Sequence, residues 1–385
     1  MDENQFSIEQ RRHLVKTLEG AWAFVPPPLP PEIEYSRIAH NLASCAKAIG
    51  ELNGAARRLQ YPYMLVTPLV RKEALTTSAM EGTITTIDNM LVQEILPDAK
   101  NDDDAREAFN YLLALRHATE ELNKLPLTGR IIKESHAKLL SGLSPSRGAN
   151  KLPGTYKTHQ NAIGQSGDTV FTARYVPPPP AQTVDAMSDL EKYINRANRV
   201  DGDELVDLAI AHYQFEAIHP FQDGNGRIGR MLVTLMAMQM KLVSLPILHI
   251  SSTLEAKTRK TEYIEKLFQV SAEAAWTDWI NFFLVAVKDS CTAAINIADR
   301  IIELQASLKR QALGSSKNHR LQTIIDALFN KPWTTAPEVE TMCKVTFPTA
   351  QSDIQELMSL GVLNEIKGTR PAVFVANQIL NVSRR

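Results

Sequence analysis

The sequence has 385 residues, of which 44% are apolar and 22% charged, and its formal net charge is −1. This length suggests two or three domains, and the near-zero charge excludes a global field that would draw the molecule to DNA or to an anionic membrane. The three cysteines, Cys45, Cys291 and Cys343, match no metal-ligand spacing and are typical of a reducing compartment. No basic segment followed by an apolar stretch opens the chain, and no apolar run approaches the ~18 residues of a membrane span. We therefore expect a cytoplasmic protein without a membrane partner.

The first hundred residues have the apolar spacing of helices. The proline-rich residues 25–31 predict an extended connector, because proline lacks the N–H donor that a helix interior needs. Helices are predicted over 32–56, 68–80, 86–96 and 105–122. Gly82 is a plausible C-cap for the second of them. We expect residues 1–100 to form an N-terminal helical extension.

Residues 152–180 interrupt the helical pattern. Glycine, proline and polar residues dominate them, which predicts a long ordered loop or a hairpin of functional importance. Helices are then predicted over 183–196, 204–218, 227–240, 254–268 and 276–308. We expect residues 101–312 to form the second domain.

The polar residues 314–318 predict a linker to a third domain, residues 317–385. Helices over 321–329, 337–343 and 348–360 precede a hairpin of residues 362–366 and 372–375, which favours a winged helix-turn-helix. Eight basic and six acidic residues occur in this segment, and residues 349–356, the presumed recognition helix, contain no basic residue. Because phosphate contacts dominate affinity for DNA, this is thin evidence for a DNA partner and favours protein interaction or a homodimer.

A loop rich in chemically active side chains lies between two apolar helices, at residues 219–230. Gly224 and Gly226 permit positive φ and close approach, and the first N–H groups of the following helix have no partner within it. With the amide of Asn225, these features predict an anion cradle that suits phosphates. Arg227 and Arg230 are three residues apart, which places two guanidinium groups on one helix face beside the cradle.

Two further residues of the loop predict chemistry rather than binding alone. Asp223 stands at the rim of the cradle, where a carboxylate can hold Mg²⁺ against phosphate oxygens. His219 can act as a general base near neutral pH. Each residue type alone is more often structural, but their combination within twelve residues at a helix start indicates a site for nucleotide chemistry.

Residues 219–230 resemble the signature of the Fic family, His-Pro-Phe-x-Asp-Gly-Asn-Gly-Arg-x-x-Arg, at every fixed position. The loop at 152–180 is similar to the flap of that family, with Asn161, Ile163 and Gly164 in the usual place, and residues 20–100 resemble the N-terminal extension of one subgroup. The resemblance implies a mainly α fold: a Fic-type helical bundle with a β-hairpin flap, the N-terminal helical extension and, as a common companion, the C-terminal winged helix-turn-helix.

The resemblance implies a protein adenylyltransferase, which moves AMP from ATP onto a hydroxyl side chain with Mg²⁺. His219 would deprotonate the hydroxyl, and Asp223 would bind Mg²⁺ between the α- and β-phosphates. Asn225 and the backbone of residues 224–226 would hold those phosphates. Arg227 would stabilise the leaving pyrophosphate, and Arg230 would hold the γ-phosphate. The flap would position the target chain by strand addition.

Thr77 to Gly82 resembles the inhibitory motif of the same subgroup. The spacing of Thr77 and Glu81 places both side chains on one face of a helix. The resemblance implies that Glu81 occupies Arg230 and so keeps ATP from binding productively.

Three positions depart from the family pattern. Two adjacent tyrosines often follow the signature, but here only Tyr263 is present, next to Glu262. Val270 stands where an asparagine is common, and Lys157 replaces an arginine near the start of the flap. These departures bear on contacts to the nucleobase.

The function most favoured is AMP transfer from ATP to a Ser, Thr or Tyr hydroxyl of target proteins and of the protein itself. Three alternatives stay open: removal of AMP from modified proteins, transfer from another nucleotide or a phosphocholine donor, and a DNA-binding regulator that senses nucleotides. The intact His219 argues against the regulator, because sensing needs no base.

Overall fold

The computed structural model describes residues 1–96, 102–165, 167–200 and 202–383. The chain forms two compact units: Met1–Gly50 with Glu73–Cys291, and Glu51–Lys72 with Thr292–Arg385. The predicted boundary between residues 100 and 101 lies outside the described residues. The division into three domains therefore stays a prediction.

The larger unit is mainly helical, as predicted. Its elements, with the parts of α1, α2 and α11 that continue into the other unit, are β1 (Leu14–Lys16), β2 (Trp22–Phe24), α1 (Tyr35–Arg57), α2 (Tyr63–Met80), α3 (Ile87–Ile95), α4 (Asp103–Leu122), α5 (Gly129–Leu139), α6 (Pro180–Ile194), α7 (Glu204–Ile218), α8 (Asn225–Gln239), α9 (Ser251–Leu254), α10 (Lys257–Glu273) and α11 (Trp276–Ala312). Side-chain caps fix two starts: Thr86 accepts from the N–H of Asn89 at 3.2 Å, and Asp102 from that of Ala105 at 3.0 Å.

Helix α2 begins at Tyr63, five residues before the predicted start at Pro68, so the proline lies inside the helix. Proline removes one backbone hydrogen bond and crowds the preceding turn. The helix continues through it because Met64, Leu65 and Leu69 bury their side chains and hold both flanks in place. The sequence-based start was wrong because tertiary burial overrides the local signal of proline.

The N-terminal hairpin and helix α5 were not predicted. The strands β1 and β2 form an antiparallel hairpin in which Leu14 pairs with Phe24. Helix α5 buries Ile131, Ile132 and Leu139. Helix α5 packs against α4 and α8, which places it beside the loop that follows α7.

Helices α7 and α8 pack against each other and are buried on almost every side. The single helix predicted over 254–268 is two helices, α9 and α10, and α10 extends to Glu273, where Ala274 adopts a left-handed φ of 56°. Helix α11 is long and apolar enough to cross a membrane by length and composition, yet 56% of its most apolar window is buried inside the protein, which is typical of a core helix.

The loop predicted at residues 152–180 is closed by one antiparallel bridge. Ile163 and Tyr175 exchange two backbone hydrogen bonds of 2.8 and 3.1 Å. Among the described residues of this loop no regular strand forms, so the flap is a loop pinned at one point rather than a full hairpin.

The smaller unit holds the C-terminal helices and a sheet. Its elements after α11 are α12 (Asn318–Leu328), β3 (Trp333–Thr335), α13 (Ala336–Cys343), α14 (Phe347–Ser359), β4 (Asn364–Ile366), β5 (Val373–Val375) and α15 (Asn377–Leu380). The sheet has three antiparallel strands in the order β3-β5-β4, so the predicted hairpin gains a third strand. Arg320 donates to the buried carboxylate of Asp353 at 2.7 and 3.0 Å and ties α12 to α14. The winged-helix assignment stays a prediction.

Candidate active site

The loop from α7 to α8 begins and ends with residues in the left-handed region. His219 follows the last residue of α7 with a φ of 47°, and its N–H still donates to the carbonyl of Phe215 at 2.9 Å. Gly224 precedes the first residue of α8 with a φ of 76°. The chain therefore reverses sharply between two buried helices, and the N-terminus of α8 opens next to the imidazole.

Two asparagine side chains hold this loop in shape. The Asn225 amide accepts from the N–H of Phe221 and donates to its carbonyl, both at 2.8 Å. The Asn161 amide donates to the carbonyls of His219 and Phe221, both at 3.0 Å. Both were expected to face ligands, Asn225 the phosphates and Asn161 the target chain. In this structure their amides brace the loop instead, because a reversed chain leaves carbonyls that need donors.

His136 on α5 supports the same loop and was not predicted. Its ring stacks on Phe221 with centroids 3.8 Å apart, and its Nε2 lies 3.0 Å from the Asp223 carbonyl. Its Nδ1 accepts from the N–H of Gly154 at 2.9 Å. Burial lowers the pKa of His136 to about 4, which keeps the ring neutral and allows one nitrogen to accept and the other to donate.

The side chain of Lys157 is buried beneath the loop. Its ammonium donates to the carbonyls of Ile218 and His219, both at 3.1 Å, and to Oδ1 of Asn161 at 2.8 Å. Burial lowers its pKa to about 7. This side chain holds the carbonyls on both sides of the sharp turn at His219. The sequence indicated only that a lysine stands where the family has an arginine.

The imidazole of His219 lines a cavity and is held neutral. Burial and, second to it, the nearby Lys157 charge lower its pKa to about 4. The imidazole is therefore neutral at neutral pH, the state that a general base needs.

Glu81 covers the N-terminus of α8. Its Oε1 accepts from Nη2 of Arg230 at 2.6 Å, and Thr77 accepts from Nε of Arg230 at 2.8 Å through its hydroxyl and from Nη2 at 3.0 Å through its carbonyl. A Cβ on Gly226 would lie only 2.2 Å from Oε1 of Glu81. Gly226 is therefore required for close approach of an anion; its φ is not positive, contrary to expectation.

Opposing effects set the charge of this pair. Burial raises the pKa of Glu81, but the charge and hydrogen bond of Arg230 outweigh it and bring the pKa below its ordinary value. Burial lowers the pKa of Arg230, and the charge of Glu81 reverses that and raises it. Both groups are thus ionised, and a carboxylate occupies the end of the helix at which a phosphate was predicted to bind.

Arg227 forms ion pairs with carboxylates other than Glu81. Its Nη1 donates to Glu107 on α4 and its Nη2 to Asp223 at 3.2 Å, and its side chain is 3% exposed. Glu107 also accepts from Arg147 at 2.6 Å and from Thr83 at 2.8 Å. Glu107 and Arg147 were not predicted. Arg227 is not among the residues that line the cavity in this structure.

Asp223 was predicted to hold Mg²⁺. Its Oδ1 accepts from the N–H of Gly224 at 2.6 Å, and its Oδ2 lies 3.8 Å from the ammonium of Lys151. The side chain is 40% exposed, so Oδ2 is open to a ligand. Among the described residues no three acidic, histidine or cysteine side chains cluster as a metal site. One carboxylate is nevertheless enough for Mg²⁺ that is held mainly by the phosphates of a substrate, and the position fits that arrangement.

A cavity of about 730 Å³ joins these groups. Glu81, His219, Gly226 and Arg230 line it, together with the flap residues Ile163 and Gly164. Its lining also includes apolar and aromatic side chains, Tyr213, Tyr263, Ile264, Leu267 and Phe268. Tyr263 is 5% exposed, and its hydroxyl lies 2.9 Å from Nε2 of His212. The cavity therefore offers both charged groups and aromatic side chains that suit a flat ring.

The chain is similar to known proteins of one family. The profile of the Fic/DOC family matches residues 126–237, and that of the Fic/DOC family N-terminal region matches residues 39–120. The chain is similar to proteins named protein adenylyltransferase Fic, at 27% identity over 201 residues for Drosophila melanogaster and 28% over 201 residues for Drosophila yakuba. Each of these two matches covers 50% of this chain and 36% of the relative, so the chain spans about a third of the length of these curated relatives.

A solved structure shares the fold. The crystal structure of a Fic family protein from Desulfovibrio desulfuricans G20 superposes with a TM-score of 0.56 at 19% identity. The superposition covers 91% of this chain and 98% of that one. Together with the two profiles, which span about half of the sequence, this shows that the chain belongs to the Fic/DOC family.

Proposed function

We propose that this protein transfers AMP from ATP to a Ser, Thr or Tyr hydroxyl of a target protein and of itself. The observation that carries the proposal is the cavity in which a neutral His219 faces the N-terminus of α8 and Arg230. The names of the adenylyltransferase relatives support the choice of nucleotide and of reaction.

The reaction follows from the placement of the groups. The acceptor hydroxyl loses its proton to the imidazole of His219 while its oxygen attacks the α-phosphorus of ATP. A new P–O bond forms, the bond between the α-phosphorus and the bridging oxygen breaks, and pyrophosphate leaves. The N–H groups at the start of α8 and the guanidinium of Arg230 stabilise the phosphate charge. The flap edge at Ile163 positions the target chain by strand addition.

Two residues complete the proposed site. Asp223 would hold Mg²⁺ with its open carboxylate oxygen, and the bound cation would neutralise charge on the phosphates. Arg227 would stabilise the leaving pyrophosphate once it turns from Glu107 towards the cavity. Tyr263, in the lining of the cavity, would pack beside the adenine.

Glu81 would inhibit this reaction. Its carboxylate lies against Gly226 and binds Arg230, so it holds both the backbone and the guanidinium that the triphosphate needs. ATP then binds with its phosphates displaced, and the α-phosphorus does not face the nucleophile.

The experiment uses ATP labelled at the α- or the γ-phosphate, a cell lysate and three proteins: wild type, Glu81→Gly, and Glu81→Gly with His219→Ala. Relative to lysate without added protein, we expect the added protein to increase incorporation of the α label alone, and the loss of the base to lower that increase by about 10²–10⁴-fold. His40→Ala, at an exposed histidine of α1, is the control and keeps the rate. Transfer of the γ label would show phosphotransfer, and undiminished transfer without His219 would contradict the mechanism. Release of AMP from previously modified proteins would favour the reverse role.

A further inference from the structure

Glu216 lies one turn before His219 on α7 and lines the same cavity. Its Oε1 is buried and has no hydrogen-bond partner within the part of the chain that the structure describes. A buried polar atom without a partner costs free energy, and in native proteins such an atom is uncommon. The reaction described above does not use this carboxyl group, so its presence needs another explanation.

Two glycines of α8 locate Glu216 relative to the phosphates. A Cβ on Gly226 would meet Oε1 of Glu81 at 2.2 Å, and a Cβ on Gly229 would meet Oε1 of Glu216 at 2.1 Å. The two glycines are three residues apart, about 4.5 Å along the helix. Glu216 therefore lies roughly one turn farther along α8 than the phosphate end, towards the tyrosines Tyr213 and Tyr263.

The charge of Arg230 acts on Glu216, but two of the Arg230 donors are already used by other acceptors. Nε and Nη2 of Arg230 donate to Thr77 and Glu81, and the ammonium of Lys260 donates to the carbonyl of Met80 at 2.5 Å. Burial raises the pKa of Glu216 to about 7, so the carboxyl group is partly protonated at neutral pH. In either state it keeps an unused acceptor oxygen for an N–H or O–H group.

We propose that Glu216 is a specificity residue that accepts a hydrogen bond from a neutral donor of the nucleoside, namely a ribose hydroxyl or the amino group of the base. The ribose hydroxyls lie between the triphosphate and the flat ring, and the amino group is carried by the ring itself. The inference rests on the proposed use of ATP and adds the part of the cavity that recognises the nucleoside.

The test measures binding of ATP, 2′-deoxy-ATP, 3′-deoxy-ATP and purine riboside triphosphate, which lacks the amino group, by calorimetry. The proteins are wild type, Glu216→Gln and Glu216→Leu. Each is also combined with Glu81→Gly, and KM and kcat are measured for these combined proteins. We expect wild type to bind one analogue about 10-fold more weakly than ATP, which corresponds to ~1.4 kcal/mol. Glu216→Leu loses that difference, and Glu216→Gln, which retains an acceptor oxygen, keeps part of it. The analogue that wild type binds more weakly than ATP shows whether the donor is a ribose hydroxyl or the amino group of the base.

Glu262→Gln, at an exposed residue next to Tyr263, is the matched control and keeps the wild-type ratios. Equal weakening of all four nucleotides by Glu216→Leu would show that Glu216 only shapes the cavity and would overturn the proposal. So would a wild type that binds every analogue as tightly as ATP. Failure of wild type and Glu81→Gly to bind ATP at all would instead overturn the proposed function, and the specificity role with it.

Discussion

The two carboxylate oxygens of Asp223 have different environments. Its Oδ1 is held by the N–H of Gly224 and by Arg227, whereas its Oδ2 is open to solvent 3.8 Å from Lys151. The first oxygen shapes the loop, and the second is free to bind a ligand. A change that keeps the shape and removes the charge therefore separates the two roles.

Asp223→Asn is expected to lower Mg²⁺-dependent transfer on the order of 100-fold, because the amide is a much weaker ligand for a hard cation. The melting temperature should change little, because the side chain is 40% exposed and the amide still accepts from Gly224. Rates over a Mg²⁺ titration check this, with Asp185→Asn on the exposed face of α6 as the control. A variant with unchanged rate and Mg²⁺ dependence would show that Asp223 serves the turn alone.

The residues of the loop could be predicted because they are contiguous in the sequence. The bracing role of the side chains that fix the loop could not, because His136, Lys157 and Asn161 lie more than 50 residues from the loop residues that they contact. Glu107 was missed for the same reason, since its partner Arg227 is 120 residues away. Long-range pairing leaves no local pattern in one sequence.

At the level of elements, α2 brings the residues of the proposed inhibition to the site. Thr77 and Glu81 lie four residues apart and meet one guanidinium of α8. Such charge-assisted hydrogen bonds in a partly desolvated place are stronger than neutral ones. The end of α2 and the start of α8 are thereby held together without any phosphate.

Glu81→Gly is expected to raise AMP transfer, self-modification included, by at least ~10-fold, since 1.4 kcal/mol of relieved competition for Arg230 is tenfold in productive binding. The double variant with Arg230→Ala should lose the gain. Initial rates of all three proteins with the same ATP and target check this, and Glu273→Gly, at the exposed end of α10, is the control. If Glu81→Gly is no faster than wild type, or the double variant stays fast, Glu81 is an ordinary residue at the end of a helix.

The long amphipathic helices were predictable from apolar spacing, usually to within a few residues. The short elements were not. Strand β3 is only Trp333–Thr335 and becomes a strand through pairing with β5, and α5 begins at Gly129, a residue that disfavours helix. In both cases packing against distant residues, rather than local preference, decides the structure.

At the level of the whole molecule, buried ionisable groups make stability depend on pH. The pKa of four buried histidines is lowered, to about 4 for His136, His219 and His249 and to about 3 for His212. Burial is the main cause in each. Two buried carboxyl groups change the pH dependence of stability in the opposite direction, because burial raises the pKa of Glu73 and Glu216 to about 7.

The sign follows from which state binds more protons. Between pH 6.5 and about 4 the unfolded chain protonates four histidines that the folded chain keeps neutral, so acidification favours unfolding. Between pH 7 and 4.5 the folded chain keeps protons on two glutamates, which favours folding. With four groups against two, we expect stability to fall as the pH decreases from 6.5 to 5, by ~2.5 kcal/mol per pH unit near pH 5.5.

Denaturant unfolding at several pH values, followed by tryptophan fluorescence, checks this dependence. His249→Gln removes one of the four histidines and should reduce the slope by about 1.4 kcal/mol per pH unit. A slope of zero or of opposite sign in wild type would contradict the expected balance of protons.

The smaller unit has no part in the proposed chemistry. Its winged-helix assignment, a DNA partner, a homodimer and a cytoplasmic location remain predictions from the sequence. The segment that would read DNA in such a fold, α14, has Glu356 and the buried Asp353 as its charged residues, which gives it no attraction for phosphates.

The left-handed backbone of His219 lowers the stability of the protein at the residue proposed as the base. A residue with a Cβ in this region costs about 1–2 kcal/mol, and the protein bears that strain where it needs an imidazole. Glycine would adopt the same φ without strain, so His219→Gly should be more stable than His219→Ala by on the order of 1 kcal/mol, although both are inactive. Selection for heat resistance alone would therefore favour glycine at this position and with it the loss of the proposed base.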